Sequence, residues 1–183
     1  MSVADEVIAL FAGRGGAAYY GEPVSILEHM LQAAHFAEAE GAPAHLVVAA
    51  LLHDVGHLVE EVPHDIADWH EDARHEEIGG SWLARRFGTE ISDPVRLHVP
   101  AKRYLCATDA SYFAKLSPAS VITLKLQRGP MNRSEIAAFE CEPHYRDAVR
   151  VRKWDDRGKV ASLTTRSLLD YRGLLEAAAF QRA

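Results

Sequence analysis

Cysteine is scarce in this sequence, and neither a long apolar run nor an excess of positive charge is present. The two cysteines, Cys106 and Cys141, form no CxxC pair and no disulfide framework. The stretch MSVADEVIAL lacks the basic and apolar regions of a signal peptide, and no stretch has the length and apolarity of a membrane-spanning helix. These absences predict a cytoplasmic protein that makes no membrane contact.

Positive charge is in deficit, with 20 Lys and Arg against 26 Asp and Glu and a formal net charge of -6. This balance argues against a broad nucleic-acid-binding face and favours a small-molecule ligand. The 183 residues are 48% hydrophobic and 25% charged, as in ordinary globular proteins, and no repeat or linker divides them. We therefore predict one domain over residues 1–183, with no nucleic-acid partner and no obligate protein partner.

The spacing of apolar residues predicts an all-α protein. Apolar residues recur at three- and four-residue intervals almost throughout, and alternating β-branched runs are missing. Ser25, with Glu28 three residues later, predicts an N-cap and capping box for a helix that runs to Glu40. The next predicted helix covers residues 43–57, with Pro43 in the first helical position. These two helices would pack as an antiparallel pair.

Further helices are predicted by the same criteria. Proline near the first helical position marks two of them, with Pro94 in SDPVRLH and with Pro118 in SPASVITLKLQ, where Ser117 is the N-cap. The other predicted helices are a first one over about residues 3–11 and the segments HEEIGGSWLARRFG, RSEIAAFE, PHYRDAVRVRKWDD and TTRSLLDYRGLLEAAAF. A polar, acidic loop is predicted between residues 58 and 74.

Histidine is abundant, and the stretch AALLHDVGHL places Asp54 between apolar residues. An ionised carboxylate is costly there unless it is paired, hydrogen-bonded or bound to a metal. A single buried imidazole is more often a hydrogen-bonded core residue than a ligand, but several imidazoles with carboxylates form a ligand set for Fe, Mn, Zn or Mg. Of the 10 histidines, the ones on or beside helices with an apolar face are His29, His53, His57, His75 and His98.

The order of these residues carries a family resemblance. His29, then His53 with Asp54, then Asp155 resembles the HD-domain superfamily of helical metalloproteins, most of which are phosphohydrolases. The motifs YYGEPVSILEH, RLHVPAKRYL, LQRGPM and VRKWDDRGK are similar to those of the HD-type mixed-valent diiron oxygenases that cleave 1-hydroxy-2-aminoethylphosphonates. The sequence is similar, more distantly, to inositol oxygenase. The resemblance implies a helical HD-domain bundle around two iron ions.

The resemblance also implies roles for individual residues. The mixed-valent Fe(II)/Fe(III) pair would use O2 as co-substrate, and one ion would keep open positions for the substrate's C1 hydroxyl and a phosphonate oxygen. The implied ligands are His29, His53 and Asp155 for one ion, His75 and His98 for the ion with open positions, and Asp54 as the bridge between both. Tyr19 and Glu22 match a tyrosine and a glutamate that cap the open ion until substrate arrives; the alternative is a connecting loop with no role.

Polar side chains near these ligands suit a doubly charged phosphonate without appeal to the family. Lys102 lies four positions after His98, although Pro100 weakens a helical interpretation there. Arg152 lies three positions before Asp155. Both cations offer charge-assisted hydrogen bonds, unless they are merely surface charges. Neutral donors would come from the helical stripe of Ser120, Thr123 and Gln127, and from His57.

The loop before His75 is where substrate choice is expected. A trimethylammonium group has no N–H to donate and needs aromatic faces and negative charge. Trp69, next to Asp68, offers both, and Tyr19 with Tyr20 can approach. We therefore predict oxidative cleavage of the carbon-phosphorus bond of (R)-1-hydroxy-2-(trimethylamino)ethylphosphonate, which gives glycine betaine and phosphate. The alternative substrate is the primary amine, which gives glycine and phosphate.

Two other classes of protein remain open from the residues. One is an HD-type metal-dependent phosphohydrolase, which does not require Tyr19, Glu22 or the stretch VPAKRYL. The other is a degenerate HD fold that only binds a ligand or partner, and the loss of a metal ligand would be its signature. All six candidate ligands are present. Imidazole and carboxylate ligands do not by themselves select iron over manganese or zinc.

Overall fold

The structure is a computed structural model that describes residues 1–60 and 74–181. Within these ranges the chain is helical, with two isolated β-bridges and no strand. The helices are α1 (Val3–Arg14), α2 (Ile26–Ala39), α3 (Ala44–Leu52), α4 (Gly56–Val59), α5 (His75–Ala84), α6 (Thr89–Arg96), α7 (His98–Thr108), α8 (Ala110–Phe113), α9 (Pro118–Leu126), α10 (Arg133–Glu140), α11 (Tyr145–Arg157) and α12 (Arg172–Ala178). A 3-10 helix, Leu168–Tyr171, precedes α12. The predicted all-α class is confirmed.

Helix α3 lies at the centre of the fold because its sequence is apolar on every side. All its residues from Leu46 to Leu52 are buried, and α2, α6, α11 and α12 pack around it. One apolar cluster takes in residues from Val3 to Leu175, so both ends of the described chain share a core. Burial of this cluster supplies the main driving force for folding. No helix among the described residues is long and apolar enough to cross a bilayer.

Side-chain caps begin two helices where the sequence predicts them. The hydroxyl of Ser25 accepts a hydrogen bond from the backbone N–H of Glu28, whose carboxylate accepts one from the backbone N–H of Ser25. This capping box starts α2. At the start of α9 the hydroxyl of Ser117 accepts a hydrogen bond from the backbone N–H of Ser120, with Pro118 at the first helical position. Each cap satisfies backbone N–H groups that have no partner inside the helix.

Several predicted boundaries are wrong. Helix α3 ends at Leu52 rather than at residue 57, because residues 53–55 form a turn before α4. Pro43 is the N-cap of α3 rather than its first residue. Pro94 lies inside α6, which begins five residues earlier, at Thr89, where packing against α3 and α5 extends the helix. The last predicted helix begins only at residue 168.

Candidate metal centre and its cavity

One group of candidate ligands is enclosed by the protein. His29 on α2, His53 in the turn after α3 and Asp155 on α11 are all buried, and we call them the closed group. Nε2 of His29 lies 3.0 Å from Nε2 of His53 and 3.4 Å from Oδ1 of Asp155. Nδ1 of His29 lies 2.9 Å from the Gly158 carbonyl oxygen, and Nδ1 of His53 lies 2.8 Å from that of Ala50.

These hydrogen bonds fix which atom of each imidazole carries a hydrogen. A carbonyl oxygen only accepts, so each Nδ1 carries a hydrogen and, in the neutral imidazoles, the two Nε2 lone pairs face each other. Two lone pairs 3.0 Å apart need a cation between them. Burial opposes a proton on His29, but Asp155 and Asp54 outweigh it and raise the pKa of His29 to about 9. Burial lowers the pKa of His53 to about 4. The donor set fits a metal ion.

A second pair of imidazoles, which we call the open group, lies across Asp54. His75 and His98 are the first residues of α5 and α7, and their Nε2 atoms are 3.2 Å apart. Nδ1 of His98 donates to the Val95 carbonyl oxygen at 2.7 Å, as in the closed group. Nδ1 of His75 has no hydrogen-bond partner among residues 1–60 and 74–181, and it lies 3.7 Å from Oε2 of Glu76. The open group is therefore held less completely.

Asp54 faces both groups. Its Oδ2 lies 3.6 Å from Nε2 of His29 and 3.5 Å from that of His53. Its Oδ1 lies 3.3 Å from Nε2 of His75 and 3.4 Å from that of His98. Burial disfavours the charge of Asp54, but the surrounding histidines outweigh burial and hold its pKa well below the usual range. An ionised carboxylate with one oxygen on each side could bridge two metal ions.

A tight turn before α2 covers this carboxylate. The Tyr19 hydroxyl donates a hydrogen bond to Oδ2 of Asp54 at 2.8 Å, and its ring stacks on His29 with 3.9 Å between centroids. The turn closes through a hydrogen bond from the Glu22 N–H to the Tyr19 carbonyl oxygen, and its central residues, Tyr20 and Gly21, have φ values of 42° and 79°. A positive φ at a non-glycine residue costs about 1–3 kcal/mol. Such strain is consistent with a functional turn.

Close packing of α4 on α5 places His57 beside the open group. A Cβ atom added to Gly56 would lie 2.0 Å from the carbonyl oxygen of His75, so only glycine allows this approach. His57 consequently stacks on His75, with ring centroids 4.0 Å apart. Burial, followed by the charge of His75, holds the pKa of His57 well below its usual value. His57 is therefore a neutral imidazole beside the centre.

A cavity opens against the open group. Its wall includes Asp54, His75, His98 and Asp155, but neither His29 nor His53. The predicted lid and phosphonate contacts that line it are Tyr19, Glu22, His57, Lys102, Ser120, Thr123, Gln127 and Arg152. The structure thus brings these side chains together around one space. Trp69 and Asp68 lie outside the described residues, so the predicted ammonium contacts stay a prediction.

Lys102 is a buried cation on this wall. Pro100 falls in the first turn of α7, where its missing N–H breaks no helical hydrogen bond, and the helix carries Lys102 one turn beyond His98. Its Nζ donates to Oγ1 of Thr123 at 2.8 Å. Burial and then the charge of Arg152 lower the pKa of Lys102 to about 7. Its burial excludes the alternative of a surface charge, and an anion in the cavity would restore its proton.

Arg152 is also buried on the wall, but its guanidinium already has partners. Its Nη1 lies 2.8 Å from Oδ2 of Asp155, and Asp156 accepts hydrogen bonds from its Nε and Nη2. The Tyr112 hydroxyl lies 3.1 Å from Nε. These contacts compensate most of the charge of Arg152 and fix the orientation of Asp155, a role that the sequence interpretation did not include.

Two further polar residues line the cavity: Tyr20, which the sequence interpretation named only beside Tyr19 for the ammonium group, and Lys159, to which it gave no role. Tyr20 lines the wall, and its ring lies 4.8 Å from that of His57. Lys159 lines it from just beyond the end of α11. The signal for Lys159 was present in VRKWDDRGK: Gly158 ends the helix, and a Cβ there would lie 3.1 Å from Nδ1 of His29. The chain must therefore pass close to the centre at this point.

Fold and site together define a helical protein with buried His and Asp groups that could hold two metal ions. The family model described as HD domain matches residues 26–122. The chain therefore belongs to the HD-domain family, as the motifs predict.

Similarity to curated proteins shows which members of the HD-domain family this chain resembles. The chain is 46% identical to the [1-hydroxy-2-(trimethylamino)ethyl]phosphonate dioxygenase (glycine-betaine-forming) of Leisingera caerulea, over 90% of this chain and 84% of that protein. It is 46% identical to the hydroxymethylphosphonate dioxygenase of Gimesia maris, over 85% of this chain and 78% of that protein. An uncharacterized protein of Acanthamoeba polyphaga mimivirus is 36% identical, over 92% of this chain and 78% of that one. The predicted likeness to HD-type phosphonate oxygenases is confirmed.

Proposed function

We propose that this protein is an HD-domain dioxygenase that cleaves the carbon-phosphorus bond of (R)-1-hydroxy-2-(trimethylamino)ethylphosphonate. The observation that carries the proposal is a cavity that joins the open group to a wall of buried cations and hydroxyls. A phosphohydrolase would not need Tyr19 against the bridging carboxylate. The similarity to two phosphonate dioxygenases over most of the chain supports the same reaction class.

We propose a mixed-valent Fe(II)/Fe(III) pair as the cofactor, with the closed group and the open group as ligands on either side of Asp54. When bound, the pair supplies the electrons that activate O2 and a Lewis-acid site for the substrate hydroxyl. The reaction transfers both atoms of O2 to products: the C1 carbon becomes a carboxylate and phosphorus leaves as phosphate. The donor set of imidazoles and carboxylates supports a redox-active first-row metal.

The protein's own groups bind and orient the substrate. Lys102 is proposed to receive a phosphonate oxygen, which its contact with Thr123 at 2.8 Å and its position on the cavity wall support, and a dianion there favours the protonated ammonium. The amide oxygen of Gln127 has no hydrogen-bond partner on this wall, so its amide can turn to serve a ligand. Arg152 holds Asp155 in place and adds positive potential. The neutral imidazole of His57 offers one further N–H.

The choice of ammonium group is proposed to rest on Trp69 and Asp68, as the sequence predicts. A trimethylammonium gains roughly 0.5 to 2 kcal/mol from an aromatic face. The relative that forms glycine betaine supports this substrate. The equally similar hydroxymethylphosphonate dioxygenase favours a second candidate, hydroxymethylphosphonate, which carries no ammonium group at all.

The test is product analysis with anaerobically purified, iron-loaded protein. The trimethylated compound, the primary amine and hydroxymethylphosphonate are each supplied with O2, and phosphate, glycine betaine, glycine and formate are measured. We expect phosphate and glycine betaine in equal amounts, with the highest kcat/KM for the trimethylated compound. A higher value for hydroxymethylphosphonate would transfer the assignment to the second candidate.

A parallel reaction without O2 separates the reaction classes. The dioxygenase releases no phosphate from phosphonates in the absence of O2, whereas a metal-dependent phosphohydrolase would cleave phosphate monoesters there. Phosphate release from a monoester and none from a phosphonate would overturn the proposal. We further propose that the protein acts in the cytoplasm, as a single domain over residues 1–183 that needs no protein partner.

A further inference from the structure

Lys159 is a cation in the cavity for which the proposed reaction has so far supplied no use. It follows Gly158, whose carbonyl oxygen accepts the hydrogen bond from Nδ1 of His29. This bond ties the backbone before Lys159 to the closed group. The side chain of Lys159 is only 12% exposed and lies on the cavity wall. The position of Lys159 therefore depends on the backbone contact with His29 of the closed group and not on a surface loop.

The partners of Lys159 come from the two sides of the cavity. Its Nζ donates to Oγ of Ser120 at 3.0 Å and lies 3.4 Å from Oγ of Ser117. On the other side it lies 3.5 Å from Oε1 of Glu22, in the strained turn that covers Asp54. The contact with Glu22 is long for a charge-assisted hydrogen bond, which is typically about 2.7–2.9 Å. Lys159 therefore has only a weak ion pair with Glu22, which belongs to the turn over Asp54.

The other cations of the cavity are engaged differently. Arg152 forms ion pairs with Asp155 and Asp156, so much of its positive charge is already neutralised within the protein. Lys102 has a neutral partner, Thr123. A phosphonate dianion that enters between them brings a stronger acceptor to Lys159 than a single carboxylate at 3.5 Å.

We propose that Lys159 binds the phosphonate group of the substrate and gives up its ion pair with Glu22 when the substrate enters the cavity. This inference rests on the proposed function. With no substrate present, the ion pair of Lys159 and Glu22 holds the turn of Tyr19 over the bridging carboxylate. When phosphonate arrives, Lys159 and Ser120 contact its oxygens, and Glu22 loses its counter-charge. The family resemblance already implies that Tyr19 and Glu22 move when substrate arrives, and Lys159 is the residue that would couple phosphonate binding to that movement.

The experiment measures binding of methylphosphonate to metal-loaded protein by titration calorimetry, because this probe has the phosphonate group but no C1 hydroxyl. Lys159→Met is compared with Glu22→Gln, which breaks the same ion pair but keeps the ammonium group. We expect Lys159→Met to raise Kd at least tenfold and Glu22→Gln to leave Kd unchanged or lower it. If Lys159 served only to anchor the turn, both variants would change Kd in the same direction.

Two further variants keep the test decisive. Lys125→Met removes an exposed lysine from α9, the helix that carries Ser120, and should leave Kd unchanged. Lys159→Arg keeps the charge and should retain most of the affinity even where Lys159→Met folds poorly. A parental Kd in Lys159→Met would overturn the inference while leaving the proposed reaction intact. Failure of the parent protein to bind methylphosphonate would instead count against the phosphonate pocket itself.

Discussion

The closed and open groups use the same ligand chemistry but are held by the protein to different degrees. In the closed group, both histidine Nδ1 atoms donate to backbone carbonyl oxygens, and Arg152 fixes Asp155 at 2.8 Å. In the open group, within the part of the chain that the structure describes, only His98 has such a bond, and both imidazoles line the cavity. Ligands with orienting partners bind metal more tightly. Under the proposed function, we therefore expect an ion at the closed group to be held more firmly than an ion at the open group, which faces the cavity.

The largest expected effect comes from removing what the two groups share. Asp54→Asn keeps the size of the side chain but removes the charge that faces all four imidazoles. We expect metal content, measured by elemental analysis, to fall from two ions per chain to nearly none. Asp93→Asn on α6, outside the cavity wall, is the matched control. Retention of one firmly bound ion in Asp54→Asn would mean that the groups do not depend on a common bridge.

Chelator titration is expected to separate the two groups. In the parent protein we predict two phases of metal loss, with the open group emptied first. His75→Gln should remove the easily lost phase and leave the resistant one, and His53→Gln should do the reverse. If the parent lost both ions in one phase, the two groups would not differ in how firmly they hold metal. If His75→Gln removed the resistant phase and His53→Gln the easily lost one, the order of the two groups would be the reverse of the one expected.

A smaller effect is expected from the residue that orients Asp155. Arg152→Met removes the 2.8 Å contact with Oδ2, so the resistant ion should bind about 10- to 100-fold more weakly. Phosphonate affinity should fall as well, since Arg152 also lines the cavity. Arg150→Met, on the same helix but outside this cavity, is the control. If the chelator titration of Arg152→Met were unchanged, Arg152 would not be the residue that orients Asp155 for metal binding.

The smallest expected effect concerns Lys102 and pH. In the folded protein the pKa of Lys102 is about 7, against 10.5 for a free lysine. Between pH 7 and pH 10.5 the side chain of Lys102 is therefore protonated in the unfolded chain and largely neutral in the folded one. The free energy of unfolding should therefore rise with pH in this window, by about 1 kcal/mol per pH unit from this residue. Lys102→Met should be more stable than the parent at pH 7, with the advantage shrinking by pH 9. Denaturant unfolding of the metal-free proteins at both pH values measures this difference, and an advantage that grows with pH would contradict it.

The caps were predictable from the sequence because their signals are local, whereas the proposed ligand set came from the order of the residues in the HD motif. Ser25 and Ser117 each stand just before an apolar helical run, and the HD motif fixes the order of the ligands. The start of α6 was not predictable from Pro94, because packing against α3 and α5 extends that helix upstream. Tertiary contacts routinely override such local preferences.

The side chains around the substrate were predicted less completely. The position of Lys159 depends on where α11 stops and on the close passage of Gly158 beside His29, which is a long-range contact. The second role of Arg152 could not be read from its spacing to Asp155, because that spacing suits a phosphonate contact equally well. Partners that come from distant elements are visible only once the helices are packed.

An anomalous difference map at the iron edge, from crystals of iron-loaded protein, tests the central claim most directly. We expect two peaks, one among His29, His53 and Asp155 and the other beside His75 and His98, with one oxygen of Asp54 directed at each. Soaking with chelator should remove the peak beside His75 and His98 first. A single peak, or two peaks without Asp54 between them, would contradict the account.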